Sequence, residues 1–267
     1  MLIPPKTDPL PARILSWAGL LLIGASLIKL QSIPPNQYPA KPQELAAAPP
    51  GAIERVIIDA GHGGNDSGAM RAGVSEKDLT LDVARRLDAL VRANGIATTL
   101  TRSGDETVSL SSRAAIANQE RDCVFVSIHF DEGSRAAATG VQTFYAAQRA
   151  SRLPWAKSWW PFARPVSVNA DSVESQSLAG FIQDALVART QAFNRGTTPQ
   201  QFYVIANVYH PAVLIEGGFL TNSEDMAKLM SDAYREQMAA AISDGIMRYR
   251  ESSSQLRASI AVEGAGG

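Results

Sequence analysis

Cysteine is almost absent from this chain: Cys123 is the only one in 267 residues, so no internal disulfide can form. Set inside the apolar run Cys123–Phe130, that cysteine reads as a small buried hydrophobe rather than a reactive thiol. Charge of one sign is also lacking. A net charge of -1 excludes the strongly basic balance expected of a nucleic-acid-binding protein. Internal repeats are missing, and the glycine-rich loop at Gly61–Gly64 is not followed by the G-K-[ST] of a phosphate cradle. Histidines number only three, so any imidazole chemistry must use His62, His129 or His210.

Long uncharged apolar runs occur once, at Ile14–Ile28, preceded by Lys6 and Arg13. That is the outline of an export signal. Extended to Leu30, the run would span about 25 Å as a helix, just short of the roughly 30 Å hydrocarbon core. Its length leaves residues 1–30 between a cleaved signal peptide, with Gly24-Ala25-Ser26 offering small residues for cleavage, and a retained membrane anchor. Pro34, Pro35, Pro39, Pro42, Pro49 and Pro50 make residues 31–52 an extended linker. The remainder is expected outside the inner membrane, in the periplasm or cell envelope, free or tethered.

From Ile53 the pattern alternates between strands and helices, which predicts an α/β fold in a single domain over 53–250. Strand-like runs are Glu54–Ala60, Ala97–Thr101, Cys123–Phe130, Val141–Ala146, Phe202–Ala206 and Ala212–Glu216. A helix begins after Ser75, with Asp78 at capping-box spacing, and ends at Asn94-Gly95. Leu110–Asn118, Leu178–Val187 and Tyr234–Tyr249 predict further helices, and 251–267 is small and polar enough to be a disordered tail.

Four ionisable groups fall at ends of these elements. His62 follows the first strand, Glu76 opens the first helix, His129 ends the third strand and Glu216 ends the last. Open α/β sheets gather such groups at the carboxyl ends of their strands. Taken singly, His62 reads as a turn residue, His129 as a core histidine and Glu76 as a first-turn acid suited to the helix dipole. Glu216 is harder to explain that way, since a carboxylate ending an apolar strand is costly unless paired or functional. His210, before Pro211, reads as a surface or supporting residue. Two imidazoles and one carboxylate suit a catalytic Zn2+ with an open position, and Glu216, close to the metal without binding it, suits the proton transfers of amide hydrolysis.

The ordered set D-A-G-H-G-G-N-D-S-G-A, S-E-K-D-L-T-L-D-V-A-R-R-L, T-L-T-R-S-G-D, L-S-S-R-A-A-I-A-N, F-V-S-I-H, N-R-G and H-P-A-V-L-I-E-G-G-F-L-T-N resembles the catalytic domain of zinc-dependent N-acetylmuramoyl-L-alanine amidases from about Val56 to Arg248. The resemblance implies a mixed, mostly parallel β-sheet of about six strands with helices on both faces. It implies zinc held by His62, Glu76 and His129, catalysis by Glu216, and cleavage of the bond between N-acetylmuramic acid and L-alanine of the peptidoglycan stem peptide. Arg113 and Asn118 become candidates for contact with the substrate or support of the ligands.

Two departures from the family pattern stand out. Phe130-Asp131 replaces the small residue and Asn that follow S-I-H in many relatives, which makes Asp131 a candidate at the rim. An insertion over 147–176 carries Trp155, Trp159 and Trp160. Some relatives hold an occluding segment at this place that an activator protein relieves; here extra packing, a membrane-facing surface and a substrate-binding element are the alternatives. The competing functions are a non-catalytic peptidoglycan-binding regulator on the same fold and a zinc peptidase acting on exported or stem peptides.

Overall fold

A computed structural model describes residues 53–131, 138–147 and 170–265. Strand β1 (Arg55–Ala60), with five of six residues buried, is the apolar run that leads to His62. It lies inside a six-stranded sheet of order β4-β1-β5-β8-β6-β7, with β4 at Ala97–Leu100, β5 at Cys123–Asp131, β6 at Val141–Tyr145, β7 at Asn194–Pro199 and β8 at Ala212–Phe219. Strands β4, β1, β5 and β8 are parallel, β6 is antiparallel to β8, and β7 runs with β6. A two-residue hairpin of β2 (Met70–Arg71) and β3 (Val74–Ser75) precedes the first helix.

Helices cover both faces, each using one parity of the strands. The Val56, Ile58, Val124, Val126, Val213 and Ile215 side packs with α1 (Glu76–Ala93), α3 (Ala170–Thr190) and α6 (Asp232–Ala265) through Leu87, Leu186 and Ile242. The Ile57, Phe125 and Leu214 side packs with the smaller α2 (Leu110–Gln119) and α4 (Tyr203–Ala206) through Ala114, Val204 and Ile205. Each fully buried Val, Leu or Ile contributes about 1.5–3 kcal/mol, so the first face carries most of the stability. On the second face, Asp59, Ser127, His129 and Glu216 share the parity of Ile57, Phe125 and Leu214. The polar chemistry therefore faces the lighter helix layer.

Several elements depart from the sequence expectation. Phe202–Ala206 is not a strand: it forms the single-turn α4, with Phe202 edge-on to Phe144 at 5.3 Å and Val204 and Ile205 buried. A short apolar run has no period to separate strand from helix, and here winding buries more of it. The sixth strand is instead β7, whose Asn-Arg-Gly start and terminal Pro199 have low β-propensity and are tolerated because β7 is an edge. The tail expected to be disordered from 251 continues α6 as helix to Ala265. Helix α5 (Ser223–Leu229) was not foreseen; Asn222 caps it by accepting from the backbone N–H groups of Glu224 and Asp225. Ser75 precedes α1 as expected, but its hydroxyl donates to Asp78 instead of capping the backbone.

Among the described residues no helix is long and apolar enough to cross a membrane. The apolar segment 14–30, the linker 31–52 and Trp155, Trp159 and Trp160 lie outside them.

Candidate metal centre

Strand β1 ends in a loop that the chain must hold by force. His62, Gly63 and Gly64 all have positive φ (58°, 125° and 61°), which for a histidine costs on the order of 1–3 kcal/mol. Two buried arginines offset this by binding the loop carbonyls. Arg102 donates to Ala60 O at 2.9 Å and Gly61 O at 2.8 Å, and Arg113 to Ala60 O at 2.6 Å and His62 O at 2.5 Å. Arg113 also pairs with buried Asp59 at 2.7 Å, and Asp59 accepts from Thr101 and Ser127 at 2.6 and 2.7 Å. Arg113 thus supports the His62 backbone.

Glu76, the first residue of α1, is where the two histidines meet. Its Oε1 lies 3.0 Å from His62 Nε2 and 3.0 Å from His129 Nδ1, and it accepts from the Phe130 N–H at 3.0 Å. Its Oε2 accepts from the Ala69 N–H at 2.9 Å. Burial opposes ionisation of Glu76, but hydrogen bonds from His129 and His62 outweigh it and hold the carboxyl well below the usual range. Burial likewise opposes a charged His62, but Glu76 and Asp66 prevail and raise its pKa. Asp66 Oδ2 lies 2.9 Å from His62 Nδ1. A neutral imidazole with Nδ1–H donated to Asp66 presents its Nε2 lone pair towards Glu76 and His129, the tautomer a metal needs. Sequence reading missed Asp66, whose signal was an acid four residues after the loop histidine.

The fit to an ion can be tested on these distances. Zinc bonds of about 2.0–2.2 Å at tetrahedral angles set ligand atoms roughly 3.3–3.6 Å apart. The donor atoms of His62, Glu76 and His129 all lie within 4.8 Å of one another, two of the separations being 3.0 Å. Opening the two short separations and closing the His62–His129 one would bring the three donors to that spacing. Beside it a cleft of about 260 Å³ opens between His62 and His129 on one side and Thr107–Leu110 with Val204 on the other.

Glu216 stands in register beside His129 on the neighbouring parallel strand. Its Oε2 is buried with no hydrogen-bond partner among the described residues. Burial, then repulsion from Glu76 and Asp131, pushes its pKa well above the usual carboxylate value. A buried carboxylate oxygen without a partner is expensive, and an ion or substrate beside it would relieve the cost. Gly217 follows because no side chain fits: a Cβ there would sit 2.7 Å from the Phe130 ring and 2.8 Å from Met238 Sδ.

The remaining candidates separate. Asp131 lies at the exposed end of β5, two residues beyond His129, at the rim. Asn118 is not at the site: its amide donates to Asn207 O at 2.8 Å and accepts from the Tyr209 N–H at 2.7 Å, bracing the loop before β8. His210 precedes β8 at the end opposite Glu216. Cys123 is buried, and burial pushes its thiol up to about 12, as an inert core residue requires.

The profile of the N-acetylmuramoyl-L-alanine amidase family (Amidase_3) matches residues 56–248. The chain belongs to that family. Amidase LytC of Bacillus subtilis is 33% identical over 196 residues, 73% of this chain and 35% of LytC. Amidase AmiA of Escherichia coli is 29% identical over 257 aligned positions, covering 87% of this chain and 88% of AmiA. The crystal structure of an N-acetylmuramoyl-L-alanine amidase from Clostridium difficile 630 superimposes with a TM-score of 0.63 at 32% identity, covering 75% of this chain and 98% of the other. The mixed six-stranded sheet is thus the amidase fold.

Proposed function

We propose that this chain is a zinc-dependent peptidoglycan hydrolase that cleaves the amide joining N-acetylmuramic acid to L-alanine of the stem peptide. The observation that carries the proposal is the meeting of His62 Nε2, Glu76 Oε1 and His129 Nδ1 beside Glu216, whose buried Oε2 has no hydrogen-bond partner among the described residues. His62, Glu76 and His129 would hold a zinc ion, which would supply Lewis acidity for the scissile carbonyl and for activating water. Glu216 takes the proton of the attacking water and hands it to the leaving nitrogen of L-alanine; its raised pKa suits a group that must carry a proton between the two. Asp66 holds the His62 tautomer, and Arg113 and Arg102 hold its backbone.

Substrate on the cell wall requires export, and the apolar segment 14–30 with the linker 31–52 supplies it as signal peptide or tether. Control by a partner acting on 147–176 belongs to the same proposal; a family member, the CwlD amidase from Clostridioides difficile, has been solved in complex with the GerS lipoprotein.

Mass spectrometry of material released from purified sacculi, with and without a chelator, tests the activity. An amidase frees intact stem peptides with an L-alanine amino terminus and leaves unsubstituted glycan. Cleavage within the stem peptide identifies a zinc peptidase instead, and no release at all identifies a binding protein.

A further inference from the structure

The Asn194-Arg195-Gly196 segment is left without a role by the chemistry above, yet its backbone is specialised. Between β6 and β7 the register advances two residues on β6, Val141 to Thr143, while it advances three on β7, Asn194 to Thr197. The extra residue is a bulge, and Gly196 at its centre has φ 76°. Asn194 fixes the turn from within, its side-chain oxygen accepting from the Gly196 N–H and from Gln183, both at 2.8 Å. Bulges re-aim side chains. Here the side chain re-aimed is Arg195.

Arg195 is directed to the face that carries the metal ligands. Its Nε donates to Gln142 Oε1 at 3.3 Å, and Gln142 is the register partner of Glu216 across β6 and β8. Gln142 is held from its other end, donating to Thr198 at 2.9 Å. A second bulge helps: from His129 to Asp131 the pairing advances two residues on β5 but three on β8, from Glu216 to Phe219, with Gly218 at φ 144°. That turns Phe219 towards the same side, and the Arg195 guanidinium lies 4.9 Å from its ring centre. Because β6 and β7 run against β8, their first residues lie at the sheet edge where β1, β5 and β8 end. His129, Glu216, Gln142 and Arg195 therefore form one row across four strands. Two strand spacings of about 4.8 Å place Arg195 about 10 Å from Glu216.

The guanidinium is steered through Nε and its face, which leaves Nη1 and Nη2 with no protein partner among the described residues. Two parallel N–H groups beside a hydrolytic centre match a carboxylate in bidentate fashion. Resting on the muramoyl-L-alanine reading of this site, we propose that Arg195 is a specificity residue that binds a carboxylate of the stem peptide on the amine side of the scissile bond. Chain length agrees: one residue spans at most about 3.6 Å, so an acidic residue following L-alanine brings its carboxylate within reach of a side chain about 10 Å away. The bulged arginine makes the free acid a better substrate than its amide.

The test uses two synthetic N-acetylmuramoyl-peptides whose second residue, a glutamate, has a free carboxyl group in one and an amidated one in the other. Wild-type protein should favour the free acid in kcat/KM by about 10- to 100-fold, the usual worth of a charge-assisted hydrogen bond, mainly through KM. In Arg195→Gln that preference should fall to near one, and Arg195→Lys should recover part of it. Melting temperature and zinc content of both variants should match wild type, which separates lost recognition from lost structure. A preference unchanged in Arg195→Gln, or equal use of both peptides by wild type, overturns the assignment while the amidase reading stands. Failure of wild type to cut either peptide, or sacculi, overturns that reading and the assignment with it.

Discussion

Glu216 and His129 are register partners on adjacent parallel strands, so the carboxylate proposed to move protons and an imidazole proposed to hold the metal sit side by side on one face of the sheet. Their placement follows from strand parity alone, but its cost is electrostatic. Glu216 is half-buried, its Oε2 has no hydrogen-bond partner among the described residues, and it faces the negative charge of Glu76 and Asp131.

That cost sets a pH dependence. A carboxyl whose pKa is higher folded than unfolded keeps its proton in the native state after the unfolded chain has lost it. Stability contributed by this group is therefore full below the unfolded value of 4.5 and declines as pH rises through the folded one. Metal-free Glu216→Gln should melt above metal-free wild type at pH 8, with the gap closing towards pH 4. Thermal denaturation followed by circular dichroism in chelator checks this; equal melting temperatures at pH 8 would contradict it.

The buried Arg113–Asp59 pair is the next point of leverage. Truncating Arg113 leaves the buried Asp59 charge without its counter-charge and removes the donor from the His62 carbonyl and one of two from that of Ala60. We expect Arg113→Met to lose about 3–5 kcal/mol in urea denaturation, and Asp59→Leu with Arg113→Met together to lose less than the sum of the two single changes.

Glycine positions near the ligands should separate by geometry. A Cβ at Gly68, φ +62°, would lie 2.5 Å from Glu76 Oε2 and 2.6 Å from His62 Cδ2, whereas at Gly73, φ +80°, nothing lies within 4 Å. Gly68→Ala should weaken zinc binding at least about 10-fold, a loss within the range for disturbing support of metal ligands. Gly73→Ala should cost on the order of 1 kcal/mol of stability from backbone strain and leave affinity intact. Competition with a chromogenic chelator measures both.

The parts legible in the sequence were those written in local pattern. β1, β5 and β8 are short apolar runs each delivering an ionisable residue, and α1 carries its apolar stripe between a serine and Asn-Gly, so the four candidate residues could be located from where these elements end. Less legible was anything decided by a distant partner. β7 exists because β6 offers an open edge, and α4 because Phe144 and the Leu214 face reward winding over extension. Arg113 and Asn118 sit in one motif, yet one supports the His62 loop and the other braces the loop before β8, a difference of about one and a half helical turns that only the fold resolves.

Cys123 gives a compact check on the core. With its thiol pushed up to about 12 by burial, it should resist iodoacetamide at pH 8 in the native protein and react once the chain is unfolded in urea. Modification of native protein at the rate of a free thiol would show that the sheet is not closed around it.

The central claim is that His62, Glu76 and His129 hold the metal while Glu216 moves the proton. Zinc content by elemental analysis, read beside sacculus hydrolysis for the same preparations, tests it most directly. Wild type should carry about one zinc per chain, the His62→Ala, His129→Ala double variant should carry none, and Glu216→Gln should keep its zinc while losing about 100- to 10,000-fold in turnover. Full zinc occupancy in the double variant, or undiminished turnover in Glu216→Gln, would contradict the account.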